Sequence, residues 1–145
     1  MMNDIGTKVK IKLVSKIIPT DGELETYEMW LQGSFINKSG SYYLRYEEVQ
    51  EDNTIRTTVK LTNDQAFIMR SGSVSMRLPL NVKQKENGHY DSMYGSLPLV
   101  TKTHQLSYEP IHENSQGRFY TQYDLIIDGT TVGNYTLEIQ YSEVQ

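Results

Sequence analysis

The stretch "RFYTQYDLIIDGTTVGNYTLEIQY", residues 118–141, decides the fold. Phe119, Tyr123, Leu125 and Ile127 share one parity before Asp128-Gly129, and Tyr135, Leu137, Ile139 and Tyr141 share one parity after it. A period of two places alternate side chains on opposite faces of an extended chain, so each half is a strand with one buried face. The two sets line up only across an odd loop. The pattern therefore predicts a three-residue loop, Asp128 to Thr130, with a glycine bulge at Gly129.

The same period runs outward along the chain. In "TKVKIKLVS" Val9, Ile11 and Leu13 alternate with Lys8, Lys10 and Lys12. Tyr27, Met29, Leu31 and Phe35 share a parity, as do Tyr42, Leu44 and Tyr46, and as do Ile55, Thr57, Val59 and Leu61. Turn signals separate the runs at Asp21-Gly22, Ser39-Gly40, Asp52-Asn53, Asn63-Asp64, Gly72-Ser73, Asn87-Gly88, Asn114 to Gly117 and Asp128-Gly129. Short, regular spacing without a helical period predicts an all-β domain, a sandwich or barrel. It is an antiparallel meander of about eight to ten strands spanning residues 1–145.

The loop length at "FIMRSGSVSMRL" sets where two arginines point. A two-residue Gly72-Ser73 turn gathers Phe67, Met69, Val74, Met76 and Leu78 on one face and leaves Arg70 and Arg77 on the other. A one-residue longer loop reverses Arg70, because a single slip exchanges the faces.

Composition narrows the function classes. The chain has 145 residues, enough to bury a core without staples, and no cysteine, which removes disulfides, thiolate metal sites and cysteine nucleophiles. A net charge of −4 argues against nucleic acid as a partner. The first residues lack a signal-peptide pattern and no run reaches membrane-span length, so a cytoplasmic location without a membrane partner is expected. Three scattered histidines make a poor metal site, and no cofactor motif, nucleophile elbow or phosphate loop occurs. No catalytic residue, metal ligand or cofactor is assigned.

"GSYYLRYEE" (40–48), "TTVKL" (57–61), "IMRSG" (68–72), "MRLPL" (76–80), "YGSLPLVTKTHQL" (94–106) and "GRFYTQYDLIIDG" (117–129) together resemble the YwiB-like family of Bacillus-type bacteria. The resemblance spans about Lys8 to Glu143. It implies a single up-and-down antiparallel β-barrel of lipocalin-like (calycin-type) form, and it carries no site residues.

In a barrel of this size, function is a question about inward side chains. Hydroxyls on apolar parities, such as Thr57, Thr121, Tyr42 and Tyr46, form either satisfied structural bonds or a wet pocket. In residues 97–108 the apolar face moves from Leu97 and Leu99, continued by Thr101 and Thr103, to Leu106 and Tyr108. A β-bulge near His104 explains the change. Tyr94-Gly95 reads as a turn. The ligand-binding candidates are Arg70, Arg77, Tyr94, Thr101, Thr103, His104, Tyr123 and Tyr135, for an amphipathic or anionic small molecule held in the interior or mouth. A filled barrel acting as an interaction module or homodimer is the alternative, and an enzyme is the least favoured class.

Overall fold

A computed structural model describes residues 6–62, 64–112 and 115–144. Ten strands follow one another: β1 (Thr7–Pro19), β2 (Glu25–Lys38), β3 (Ser41–Gln50), β4 (Asn53–Leu61), β5 (Gln65–Gly72), β6 (Ser75–Asn81), β7 (Glu86–Ser92), β8 (Gly95–His112), β9 (Gln116–Ile127) and β10 (Thr130–Glu143). Each pairs with its chain neighbours and β1 closes on β10, giving an up-and-down antiparallel barrel. The expected all-β barrel is present, at the upper end of the expected strand count.

The period of two is the packing rule. Val9, Ile11, Leu13, Phe35, Leu44, Val59, Leu61 and Ile139 are buried on the parities that the sequence sets. Burying such a side chain contributes roughly 1.5–3 kcal/mol each. Lys8 and Lys10 of β1 face out into solvent, and Lys12 is half-buried beside Trp30.

Three local expectations need correction. At Asp128-Gly129 the loop has two residues, not three. Both have left-handed φ values, +54° and +79°, and Ile127 pairs directly with Thr130. The expected alignment of faces is still reached, because the register shifts between Thr131 and Gly133. The odd residue is Val132, inside β10, and the bulge is not at Gly129. Thereafter Tyr123 pairs with Tyr135 and Phe119 with Ile139.

The Gly72-Ser73 turn is wider than two residues. Arg70 pairs with Met76 and Ile68 with Leu78, so Ala66, Ile68 and Arg70 face inward and Phe67, Met69 and Arg77 outward. The cause lies in β4: Gly72 stays paired with Ile55, and the Ser73 N–H donates to Thr54 O at 3.1 Å. This holds β5 to its neighbour past the point where a tight hairpin would turn.

Asn87-Gly88 is not a turn. It lies within β7, where a Cβ on Gly88 would meet the Arg77 carbonyl oxygen at 2.1 Å. The glycine is required by close backbone approach, not by a turn conformation. Only Ser75 to Arg77 of β6 pair with β7, because Pro79 has no N–H to offer the ladder.

The two ends of the barrel differ. One is plugged by rings. Phe35 stacks on Tyr141 at 4.7 Å and on Tyr42 at 5.8 Å, Tyr42 meets Tyr108 at 5.0 Å, and the Tyr108 and Tyr141 hydroxyls share a hydrogen bond. Gly117 makes room for Tyr141, whose hydroxyl oxygen a Cβ would meet at 2.5 Å and whose ring it would meet at 2.7 Å. At the other end lie the β1–β2, β3–β4, β5–β6, β7–β8 and β9–β10 loops, with no comparable ring cluster among the described residues. Gly88→Ala is predicted to lower stability by about 1–3 kcal/mol in urea unfolding. An unchanged midpoint would contradict the close β6–β7 approach.

Candidate functional site

The open half of the barrel encloses a cavity of about 460 Å³. Its apolar wall comes from β1 (Leu13, Ile17), β6 (Met76, Leu78), β8 (Leu99), β9 (Leu125) and β10 (Leu137). Its polar wall comes from β3, β4 and β5: Tyr46 and Glu48, Thr57, and Arg70. Tyr27, Tyr123 and Tyr135 also line it, and Tyr123 and Tyr135 stack with ring planes 6° apart at 5.3 Å. The rings of β9 and β10 face each other because Val132 restores their register.

The ladder between β2 and β3 covers only Gly33–Lys38 and Ser41–Tyr46. Glu25 to Gln32 pair with β1, and Glu47 to Gln50 pair with β4, but not with each other. The wall is therefore incomplete beside the mouth. Tyr27, although on the inward parity, is half exposed there, and Trp30 stands 72% exposed next to it.

Arg70 and Glu48 form an ion pair at 3.3 Å, with the carboxylate side chain almost buried. Burying two charges costs several kcal/mol, offset here by their mutual attraction. Burial pushes the Tyr46 phenol up to about 12, helped by the Glu48 charge and opposed by Arg70 and the neighbouring Thr57. Burial likewise raises the Tyr123 and Tyr135 phenols. At neutral pH all three present uncharged hydroxyls. The Thr57 hydroxyl is fully buried beside Tyr46 but has no hydrogen bond of ordinary geometry.

Of the expected site residues, Arg70, Tyr123 and Tyr135 meet in the cavity. Thr101 and Thr103 are buried but serve the backbone. Thr101 donates to the Pro79 carbonyl at 2.6 Å, and Thr103 Oγ1 accepts from the Asn81 N–H at 3.2 Å. They satisfy groups that β7 leaves unpaired where the β6 ladder stops. Thr121 does the same for the Gln105 carbonyl at the β8 bulge. Arg77 lies outside, 5.0 Å from the Phe67 ring, and Tyr94 is an exposed turn residue.

His104 occupies the expected bulge, since the register shifts between Thr103 and Gln105. The bulge aims it outward. Its Nε2 lies 2.8 Å from Asp124, whose other oxygen accepts from Asn134 at 2.8 Å, and Asn134 accepts from Gln122 at 3.1 Å. Partial burial works against the Asp124 carboxylate, but the Asn134 and His104 hydrogen bonds and the nearby positive charges hold its pKa below the ordinary value. This chain laces β8, β9 and β10 across the outer surface and does not reach the cavity. Among the described residues no group of three acidic or histidine side chains could hold a metal ion.

Glu48 is a charged cavity residue that is absent from the ligand-binding candidates read from the sequence. It has the parity of Tyr46, two residues earlier, which marks it as inward. Thr101→Val is predicted to cost about 1–3 kcal/mol by orphaning the Pro79 carbonyl. Thr57→Val, which removes an unpartnered hydroxyl, should be neutral or stabilising. Equal losses in thermal unfolding would contradict these assignments.

Residues 11–139 match the family described as "Domain of unknown function (DUF1934)". The chain is 27% identical over 128 residues to the protein described as "Uncharacterized beta-barrel protein YwiB" from Bacillus subtilis (strain 168), covering 88% of this chain and 89% of that one. It also superimposes on the crystal structure of the ywiB protein from Bacillus subtilis with a TM-score of 0.84 at 24% identity, covering 96% of this chain and 93% of that one. That second likeness speaks to the fold alone. Matched along most of its length and closed into a β-barrel, the chain belongs to the DUF1934 family.

Proposed function

We propose that this protein is a binding barrel that takes one amphipathic small molecule into the open half of its interior. The observation that carries the reading is the two-sided cavity: about 460 Å³, aliphatic on one wall and polar on the other. Binding sites for small molecules commonly enclose roughly 300–1,000 Å³ of mostly apolar lining with a few placed polar groups. Side chains that pack the plugged half leave this volume unfilled. The apolar part of a ligand would gain from contact with Leu13, Met76 and Leu137, and its polar end would meet Thr57 and the Glu48–Arg70 pair.

Entry is at the mouth. Ile18, Leu24, Tyr27, Val49, Met93, Tyr94 and Leu97 are large apolar side chains exposed on the loops and strand ends around this end. Exposed apolar side chains around one opening mark a surface that meets something apolar. The same rim favours a second reading, an interaction module that docks through its mouth. A mass that rises with protein concentration would support that reading.

Native mass spectrometry of gently purified protein is expected to show one released small molecule per chain, or, for the bare protein, one-to-one binding of the uncharged dye Nile red. Met76→Trp should weaken dye binding at least about tenfold by filling the cavity, with unfolding temperature unchanged or raised. Val82→Trp, exposed in the β6–β7 loop at the plugged end, is the control. A bare protein that binds no dye would overturn the proposal.

A further inference from the structure

The mouth is charged as well as apolar. The five loops at the open end, residues 20–24, 51–52, 73–74, 93–94 and 128–129, hold Asp21, Glu23, Glu51, Asp52 and Asp128 and no lysine or arginine. Lys16, Arg56, Arg77 and Lys102 lie nearby on the outer strand faces, and Arg56 is held by Glu47 at 3.3 Å. Inside, Arg70 is the one lysine or arginine among the described lining residues, and Glu48 already neutralises it. An anion entering the cavity would pass a ring of carboxylates and then compete with Glu48 for its only counter-charge.

A cation meets the opposite situation. The rim draws it in, since like-signed charges around a low-dielectric mouth focus the field. The Tyr27, Tyr123 and Tyr135 side chains line the path, and aromatic rings attract ammonium groups. At the polar wall, Glu48 keeps a second carboxylate oxygen that its contact with Arg70 does not use. An ammonium N–H can donate to it.

We infer that the cavity selects amphipathic amines over acids of the same chain length: an ammonium head at Glu48, an alkyl or aryl tail against the aliphatic wall. This rests on the binding-barrel reading and departs from the expectation of an anionic ligand. It names the class of ligand and the groups that would recognise it.

The test is calorimetric titration of the whole protein at neutral pH with octylamine, octanol and octanoate, which share a tail and differ in charge. Octylammonium is expected to bind at least about tenfold tighter than octanoate at low ionic strength, with octanol between them. The gap should narrow as salt rises toward about 1 M, where the Debye length falls to roughly 3 Å. Glu48→Gln should remove much of the preference. The exposed pair Glu51→Gln with Asp52→Asn, remote from the core, should narrow it while leaving octanol binding unchanged. Octanol binding with octanoate equal to or tighter than octylammonium would overturn the charge selection and leave the binding barrel standing. Failure of all three to bind would overturn both.

Discussion

Ten strands closed edge to edge enclose more volume than their inward side chains must fill, and the rest of the structure answers that constraint. A barrel of about eight strands is just filled by its own residues, and the diameter grows with strand number. Here one half meets the surplus with large rings: Phe35, Tyr42, Tyr108 and Tyr141 interlock and Phe119 is buried beside them. The other half has Leu, Ile and Met on most strands and keeps about 460 Å³ open. The polarity of the container, one end plugged and one end open, follows from where the sequence spends its aromatic residues.

Strand pairing then decides which groups enter that space. Arg70 is inside because β5 remains hydrogen-bonded to β4 through Gly72, and Glu48 is inside because β3 keeps the parity of Leu44 and Tyr46. Neither would sit well alone. Removing one partner of this part-buried pair leaves the other charge without its counter-ion at the polar wall, which lowers stability. The pair makes the interior electrically neutral while leaving it polar, and the acidic loops then set the sign of the field at the entrance. Function and fold meet in this arrangement: the same register that closes the barrel places the polar wall opposite the aliphatic one.

Much of the fold was legible because a half-buried strand has to alternate. The inward faces of β1, β3, β4, β9 and β10 follow from residue parity, and the bulge at His104 follows from a parity change within β8. The errors arose where loop length, a bulge within a strand or a cross-strand contact, not pattern, carries the information. One residue more in the β5–β6 turn moved Arg70 from the outer face to the cavity. Asn87-Gly88 has the composition of a turn, but its glycine answers to the Arg77 carbonyl of the neighbouring strand, a contact no local pattern reveals. The site was less legible than the fold for the same reason. Thr57 and Thr101 look alike in sequence and burial, and only the interrupted β6 ladder gives one an acceptor and leaves the other without a partner.

In this arrangement the interior opens at one end and is closed by the ring cluster at the other. Methyl-resolved NMR during titration with an uncharged apolar probe tests this most directly. Shifts are expected in Leu13, Ile68, Leu78 and Leu137, which line the open half, with Val9, Leu61 and Leu80 at the plugged half unmoved. Shifts that reach the plugged half equally, or that fall on outer-surface methyls such as Val82 and Ile111, would contradict a one-ended container.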